Sequence, residues 1–264
     1  MTAMHVSVII PAAGSSRRYG MDKLGQDLGG RAMLLRTVEL FTKRDEVRSI
    51  VVAGPPDDLE TFRERFGAPL SFHGVRIVEG GRTERWETVR NALAAVPPEA
   101  THVAVHDAAR PGTSDELIGR VFEAARMHPA VIPGLSVADT LKRVSEQAVQ
   151  AEQEDAIADM ILGDAAETTK AKGRVVEATV DRTRLVAVQT PQVFEVGLLR
   201  RAYAQPDLSG ATDDAGLVER LGEPVLVVDG EFRNLKVTVP EDLAAIRSIL
   251  GFKAPEGRPV HKRF

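Results

Sequence analysis

Cysteine is absent from the 264 residues, which excludes disulfides, thiolate nucleophiles and cysteine-bound zinc. A basic excess is also missing. The formal net charge is −4, which argues against a general nucleic-acid binder. No apolar run approaches the roughly 18 residues that a membrane helix needs, so no membrane association is expected. The chain opens almost at once on an apolar strand, so a signal peptide is not expected and a cytoplasmic location is. His102 and His106 flank a strand-like Val103-Ala104-Val105, where four residues span about 13 Å, too far to share a metal. No internal repeat or low-complexity tract is present. Two nucleotide signatures are missing as well. Gly20 is followed by Met21 where a Walker loop needs lysine, and Ser16 stands at the second glycine of a dinucleotide fingerprint.

What the chain does have is 43% hydrophobic and 27% charged residues, the composition of a globular protein long enough for one large domain. Its most informative stretch is Val6 to Lys23. Val6, Val8, Ile9 and Ile10 read as a buried parallel strand that stops at Pro11. Small residues follow (Ala12, Ala13, Gly14, Ser15, Ser16), then Arg17, Arg18 and Lys23. A strand emptying into a loop without bulk lets backbone N–H groups approach a ligand, and N–H groups with cations suit phosphates.

Downstream, strands alternate with helices. Leu34, Leu35, Val38 and Phe41 have helical spacing; Val47 to Ala53 reads as a strand, Asp57 to Phe66 as a helix, and Val75 to Val78 as a strand. Trp86, Val89, Leu93 and Val96 form one helical stripe, and His102 to Val105 another strand. Thr113-x-x-Glu116 has capping-box spacing and opens a helix to about Met127, before a strand at Ala130 to Ile132. The pattern predicts an α/β fold, a mostly parallel sheet with helices on both faces, whose ligands bind beyond the carboxyl ends of its strands. In the middle, Val137 to Val144, Val175 to Val180 and Leu185 to Gln189 read as strands. Ser145 to Arg174 is an acidic, then basic, excursion of the kind found in surface arms, in which Ala156, Ile157, Met160 and Ile161 have the spacing of a short amphipathic helix. Glu195 to Tyr203, Thr212 to Leu221 and Glu241 to Leu250 complete the helices, Val225 to Val228 is a strand, and a frayed tail is expected from Gly251.

Four further segments put polar groups at strand ends or helix starts. Glu79-Gly80-Gly81-Arg82-Thr83-Glu84-Arg85 allows close backbone approach, with Thr88 one turn on. His106-Asp107-Ala108-Ala109-Arg110-Pro111 could hold a metal or hydroxyls, or be a structural Asp–Arg pair. In the middle section lie Asp139-Thr140-Leu141-Lys142, Asp181-Arg182 and Gln189-Thr190-Pro191-Gln192, where hydroxyl and guanidinium together suit a phosphate monoester. Asn234 to Asp242 places Lys236 just before a helix start.

These segments, P-A-A-G-S-S-R-R, G-G-R-T-E-R, H-D-A-A-R-P, A-D-T-L-K, T-V-D-R, T-P-Q-V-F, A-T-D-D and N-L-K-V-T-V-P-E-D-L, resemble in content and order the 2-C-methyl-D-erythritol 4-phosphate cytidylyltransferases. The resemblance runs from Val6 to about Leu250. It implies a Rossmann-like nucleotidyltransferase domain formed by 1–136 and 183–250, a protruding β-arm at 137–182 for dimerisation, and a flexible tail at 251–264. It implies transfer of CMP from CTP to 2-C-methyl-D-erythritol 4-phosphate, releasing pyrophosphate in isoprenoid precursor synthesis, with Mg²⁺ as cofactor and a homodimer as the working form. Arg18, Lys23 and Arg17 would hold the CTP phosphates. Backbone near Ala12, Ala13, Gly14 and Gly81, with Thr88, would read cytosine and ribose. Asp107, Arg110, Thr140, Thr190, Thr212 and Lys236 would surround the second substrate, Asp107 also touching the metal, and Arg182 would reach into the partner subunit's site. Ser16 in place of a frequent glycine, Asp22-Lys23 in place of Pro-Lys, and the length of 145–174 depart from the family pattern. Other expectations stay open: a cytidylyltransferase for another polyol phosphate such as ribitol 5-phosphate, a non-catalytic nucleotide-binding protein, and, more distantly, a nicotinamide oxidoreductase.

Overall fold

A computed structural model of the chain describes residues 3–14, 19, 22–151 and 171–252. Two compact units divide it, Met1–Leu135 with Val188–Phe264, and Ser136–Ala187.

The larger unit is built on β1 (Val6–Pro11), β2 (Val47–Gly54), β3 (Arg76–Glu79), β4 (His102–Val105), β5 (Ala130–Ser136, whose last residue belongs to the smaller unit), β11 (Gln192–Glu195) and β12 (Leu226–Asp229). Across the sheet β5, β11, β4, β1, β2 and β3 follow in that order, with β12 and also β10 (Val186–Val188) paired to β5. Leaving β10 aside, neighbours pair in parallel except β11, which runs antiparallel between β4 and β5. The sheet is therefore mixed and mostly parallel. In β1, Val6, Val8, Ile9 and Ile10 are fully buried, because successive side chains alternate faces and both faces are covered. On one face Val8 and Ile10 share a core with Leu34, Val38, Phe41, Phe62, Phe66, Val121 and Phe122. These come from α1 (Met33–Glu39), α2 (Leu59–Phe72), α4 (Asp115–Ala125) and the turn after α1. On the other face Ile9, Val51 and Val103 pack with Val89, Leu93, Leu199 and Leu217, from α3 (Arg85–Leu93), α5 (Val196–Tyr203) and α6 (Asp214–Glu219). A smaller cluster joins Tyr19, Leu28, Met33, Ala109 and Val237 to Leu243 and Ile246 of α7 (Pro240–Ile249). It supports the segment that carries Lys236.

Several boundaries differ from the sequence expectation. Helix α4 is capped by Ser114, whose hydroxyl accepts from Leu117 N–H at 2.9 Å, and not by Thr113. The Thr113 hydroxyl donates instead to Asn234 Oδ1 at 2.8 Å, a tertiary bond that overrides the local capping pattern. Helix α2 continues past Phe66 and through Pro69 to Phe72. Helix α3 stops at Leu93, yet Val96 still packs in its core. The strand expected over Val137 to Val144 is interrupted: β5 ends at Ser136 and β6 begins at Leu141. Strand β11 occupies residues for which the sequence predicts no strand; Val193 and Phe194 within it are fully buried.

The smaller unit pairs β6 (Leu141–Val144) antiparallel with β9 (Val176–Val180), and β7 (Val149–Ala151) antiparallel with β8 (Ala171–Gly173). Strand β10 (Val186–Val188) spans its boundary with the larger unit. Val144, Val149, Val175 and Val176 are exposed. The amphipathic spacing of Ala156 to Ile161 and the tail from 253 lie outside the described residues. Among the described residues, no helix is long and apolar enough to cross a membrane.

Candidate active site

Three parallel strands, β1, β2 and β3, end side by side. Ala12 N–H donates to the Ala53 carbonyl and Gly80 N–H to the Gly54 carbonyl, at 2.8 and 2.9 Å. A Cβ on Gly80 would lie 2.6 Å from Ala13 Cβ, so only glycine lets these two loops touch. Gly81 N–H donates to Thr88 Oγ at 2.9 Å, and Asn91 donates to the Gly80 carbonyl at 3.0 Å. The Glu87 carboxylate accepts from the N–H groups of Arg82, Thr83 and Glu84, which fixes the start of α3. Gly14 has open space where a Cβ would be. Ala12, Ala13, Gly81 and Thr88 are thus brought together around two glycine-bearing turns. Arg17 and Arg18 lie outside the described residues.

The second group forms around Asp107, just past the end of β4. Lys236 Nζ is 2.9 Å and Arg110 Nε 3.2 Å from Asp107 Oδ2. Oδ1 pairs, among the described residues, only with Arg85 Nε at 3.8 Å. Burial alone would push the Asp107 carboxyl up, but Lys236, Arg85 and Arg110 outweigh it and hold the group well below the usual carboxylate range. These residues, with Thr190, Gln192, Thr212 and Asp213, line a cleft of about 370 Å³. Thr212 was expected here from sequence, and so were Asp107, Arg110, Thr190 and Lys236.

A buried amide braces this cluster. Asn234, fully buried, donates to the Thr190 carbonyl at 2.8 Å and to Gln189 Oε1 at 3.2 Å. Arg110 Nη1 donates to the Asn234 carbonyl at 2.7 Å, and Val237 N–H to the Ala109 carbonyl at 2.9 Å. Lys23 Nζ donates to the Val237 carbonyl at 3.1 Å. Lys23 and Lys236, 213 residues apart in the chain, therefore meet the same short segment. Asp242 fixes its far end by accepting from Thr238 N–H, Thr238 O–H and Val239 N–H.

His106 stands behind Asp107 and is fully buried. Burial pushes its imidazole down to about 4. Its Nε2 faces the Arg110 carbonyl at 3.2 Å. A carbonyl only accepts, so this bonding assigns the ring proton to Nε2 and leaves Nδ1 to accept from the Thr190 hydroxyl at 3.2 Å. The same hydroxyl accepts from Asp107 N–H at 3.1 Å. Thr190 thus has its single proton committed, and it presents a lone pair that suits a ligand hydroxyl better than a phosphate oxygen.

Thr140 and Arg182 belong to the smaller unit, where Arg182 Nη1 donates to the Val137 carbonyl at 2.9 Å. Sequence reasoning assigned no role to Arg85, Asp214 or Tyr203. Arg85 Nη2 is 2.8 Å from Asp214 Oδ2, and the Tyr203 hydroxyl donates to Asp214 Oδ1 at 2.5 Å. Arg85 closes the G-G-R-T-E-R motif and Asp214 the A-T-D-D motif; Tyr203 carries no signal beyond its place on an apolar helix face.

A hard divalent cation at a nucleotide site typically takes one or two carboxylates with phosphate oxygens completing its shell. Asp107 Oδ1, without a hydrogen bond among the described residues, is a donor of that kind.

The family model for 2-C-methyl-D-erythritol 4-phosphate cytidylyltransferase matches residues 6–156 and 147–251. A protein of that name from Frankia casuarinae is 41% identical over 93% of this chain and 81% of its own length. One from Geobacillus kaustophilus is 34% identical over 96% of this chain and its whole length. Among solved structures, the enzyme of that name from Thermus thermophilus superposes with a TM-score of 0.68 at 34% identity, covering 94% of this chain and all of its own. A structure described as 4-diphosphocytidyl-2C-methyl-D-erythritol synthase gives 0.71 at 31% identity, over 94% and 99%. Sequence, fold and the order of the motifs around Asp107 agree, and the chain belongs to the 2-C-methyl-D-erythritol 4-phosphate cytidylyltransferase family.

Proposed function

We propose that the cleft around Asp107 is where this chain joins CTP to 2-C-methyl-D-erythritol 4-phosphate, giving 4-diphosphocytidyl-2-C-methyl-D-erythritol and pyrophosphate in isoprenoid precursor synthesis. The observation that carries the assignment is the convergence of Lys236, Arg110 and Arg85 on one buried carboxylate. Lys23 meets the same segment as Lys236. Lys236, Arg110 and Arg85 outnumber the single carboxylate they meet, which favours an anionic substrate at that spot.

In the proposed reaction an oxygen of the acceptor's phosphate attacks the α-phosphorus of CTP. A new P–O bond forms as the bond to the β-phosphate oxygen breaks, and the electron pair leaves with pyrophosphate. A phosphate monoester has a second pKa of about 6, so the nucleophile is largely dianionic near neutral pH and needs no base. Fully buried and held neutral, His106 is suited to positioning Thr190, not to proton transfer. Catalysis then rests on orientation and charge stabilisation. Lys23 with Arg18 and Arg17 would neutralise the triphosphate, and Lys236 the charge that gathers around the α-phosphorus. Backbone at Ala12, Ala13, Gly14 and Gly81, with Thr88, would read the nucleoside. Arg110, Thr190 and Thr212, with Thr140 and the partner's copy of the Arg182 side chain, would hold the acceptor in a homodimer. A Mg²⁺ ion held by Asp107 Oδ1 and phosphate oxygens would supply further charge neutralisation.

The test incubates the purified protein with Mg²⁺ and CTP, and with either 2-C-methyl-D-erythritol 4-phosphate or ribitol 5-phosphate. The expected result is pyrophosphate and the CDP-linked product from the methylerythritol acceptor. Product from ribitol 5-phosphate alone, or CTP binding without turnover, overturns the assignment.

A further inference from the structure

The cleft contains one cation with no part in the reaction so far, and behind it a buried pair that the chemistry does not use. Arg85 opens α3 and lines the cleft. Its Nη2 is held by Asp214 at 2.8 Å and its Nε lies 3.8 Å from Asp107. Its third nitrogen, Nη1, has no ion-pair partner among the described residues. Asp214 is fully buried and does not line the cleft. Its Oδ1 accepts from Tyr203, itself buried on α5. A carboxylate fully removed from water is costly unless paired, and here one guanidinium and one phenol supply that pairing.

Geometry fixes what such an arrangement does. Two carboxylates on different elements flank the guanidinium, Asp214 at 2.8 Å and Asp107 at 3.8 Å, and turning its planar fork away would lengthen the Asp214 ion pair. Asp214 in turn cannot move without losing Tyr203. Burial and the Asp214 charge push the Tyr203 hydroxyl up, so it keeps its proton and stays a donor. Asp213, the neighbour of Asp214, is spent elsewhere: it accepts from Gln192 Nε2 at 2.8 Å and caps α6 through Gly216 N–H at 3.0 Å.

We propose that Tyr203 and Asp214 are positioning residues that hold Arg85 with Nη1 presented to the cleft, and that Arg85 is a further binding residue for the phosphate of the polyol phosphate acceptor. The inference rests on the reading of the cleft given above. Asp214 acts only through Arg85. The Arg85 charge serves a phosphate that is anionic before and during the reaction, so its loss falls on acceptor affinity more than on turnover.

The experiment is a double-mutant cycle read three ways: the Kd for 2-C-methyl-D-erythritol 4-phosphate by calorimetry without CTP, the KM values for both substrates, and thermal stability. Arg85→Ala and Asp214→Asn should each weaken acceptor binding about 10–100-fold, the worth of one charge-assisted bond, with the KM for CTP within about 3-fold. In the Arg85→Ala background, Asp214→Asn should add nothing. Tyr203→Phe, which removes one hydroxyl and no charge, should weaken acceptor binding about 3–10-fold. It keeps the test open should Asp214→Asn fail to fold. A lower Tm with unchanged acceptor Kd assigns Asp214 and Tyr203 to stability alone and overturns the proposal. So do a multiplicative effect of Asp214→Asn in the Arg85→Ala background and a rise confined to the KM for CTP. Wild-type protein that binds the acceptor but forms no product refutes the assigned reaction while the Kd cycle still judges the relay. Wild-type protein that binds no acceptor overturns both.

Discussion

His106 and Asp107 are neighbours with opposite electrostatic lives. The imidazole gives up its proton at about 4 in the folded chain, against 6.5 ordinarily, chiefly because burial disfavours its cation. Between those values the unfolded chain holds the extra proton, so the stability His106 contributes is complete above pH 6.5 and declines as pH falls towards 4. The full loss is on the order of 3 kcal/mol. The Asp107 carboxyl is held below its ordinary 3.8 by Lys236, Arg85 and Arg110 against the cost of burial. Its contribution is therefore present above about pH 4 and lost only as pH falls further, outside the His106 window. Urea denaturation should give a lower unfolding free energy at pH 4.5 than at pH 7, and His106→Gln should flatten that difference. An equally steep slope in the variant would remove His106 as its source.

Short stretches fixed by one acceptor set the geometry at the scale of elements. Glu87 holds the turn before α3, and Asp242 the turn before α7. A Cβ on Gly81 would lie 2.3 Å from Glu87 Cβ and 2.8 Å from Thr88 N, so backbone must yield. Gly81→Ala should cost roughly 1–3 kcal/mol of stability and raise the KM for CTP more than that for the acceptor; unchanged values for both would detach this turn from the nucleotide. Strands β1, β2 and β4 were legible because a sheet covered on both faces leaves continuous apolar runs. Strand β11 was not, because Gln192 to Glu195 is four residues long, too short a run to show a clear alternation. The Ser114 cap is masked in the sequence for a related reason: Thr113 has the better local pattern, but its hydroxyl is claimed by Asn234 across 121 residues. Lys236, Asp107 and Arg110 were visible as motif residues. The buried Asp214–Tyr203 pair behind Arg85 was not, since contacts between helices leave no spacing to read.

At the scale of the whole molecule, the proposed active form is a homodimer in which Arg182, on the smaller unit, completes the site of the other copy. Sedimentation should give twice the 28.6 kDa chain mass. Arg182→Ala should mainly raise the KM for the acceptor, because the group it grips is charged throughout the reaction. Mixed with Lys236→Ala under conditions that exchange subunits, it should regain activity, since the hybrid holds one intact site of two. A monomer in solution, or no recovery on mixing, contradicts the shared site.

In the proposed mechanism, cations distant in sequence are gathered by Asp107 into one cleft and stabilise charge during transfer. Turnover of purified Lys236→Ala, compared with the unaltered chain at saturating CTP and 2-C-methyl-D-erythritol 4-phosphate, tests this most directly. Loss of one donor aimed at developing charge should lower kcat by roughly 10²–10³ while the protein remains folded. A folded Lys236→Ala enzyme turning over at the rate of the unaltered chain would contradict it.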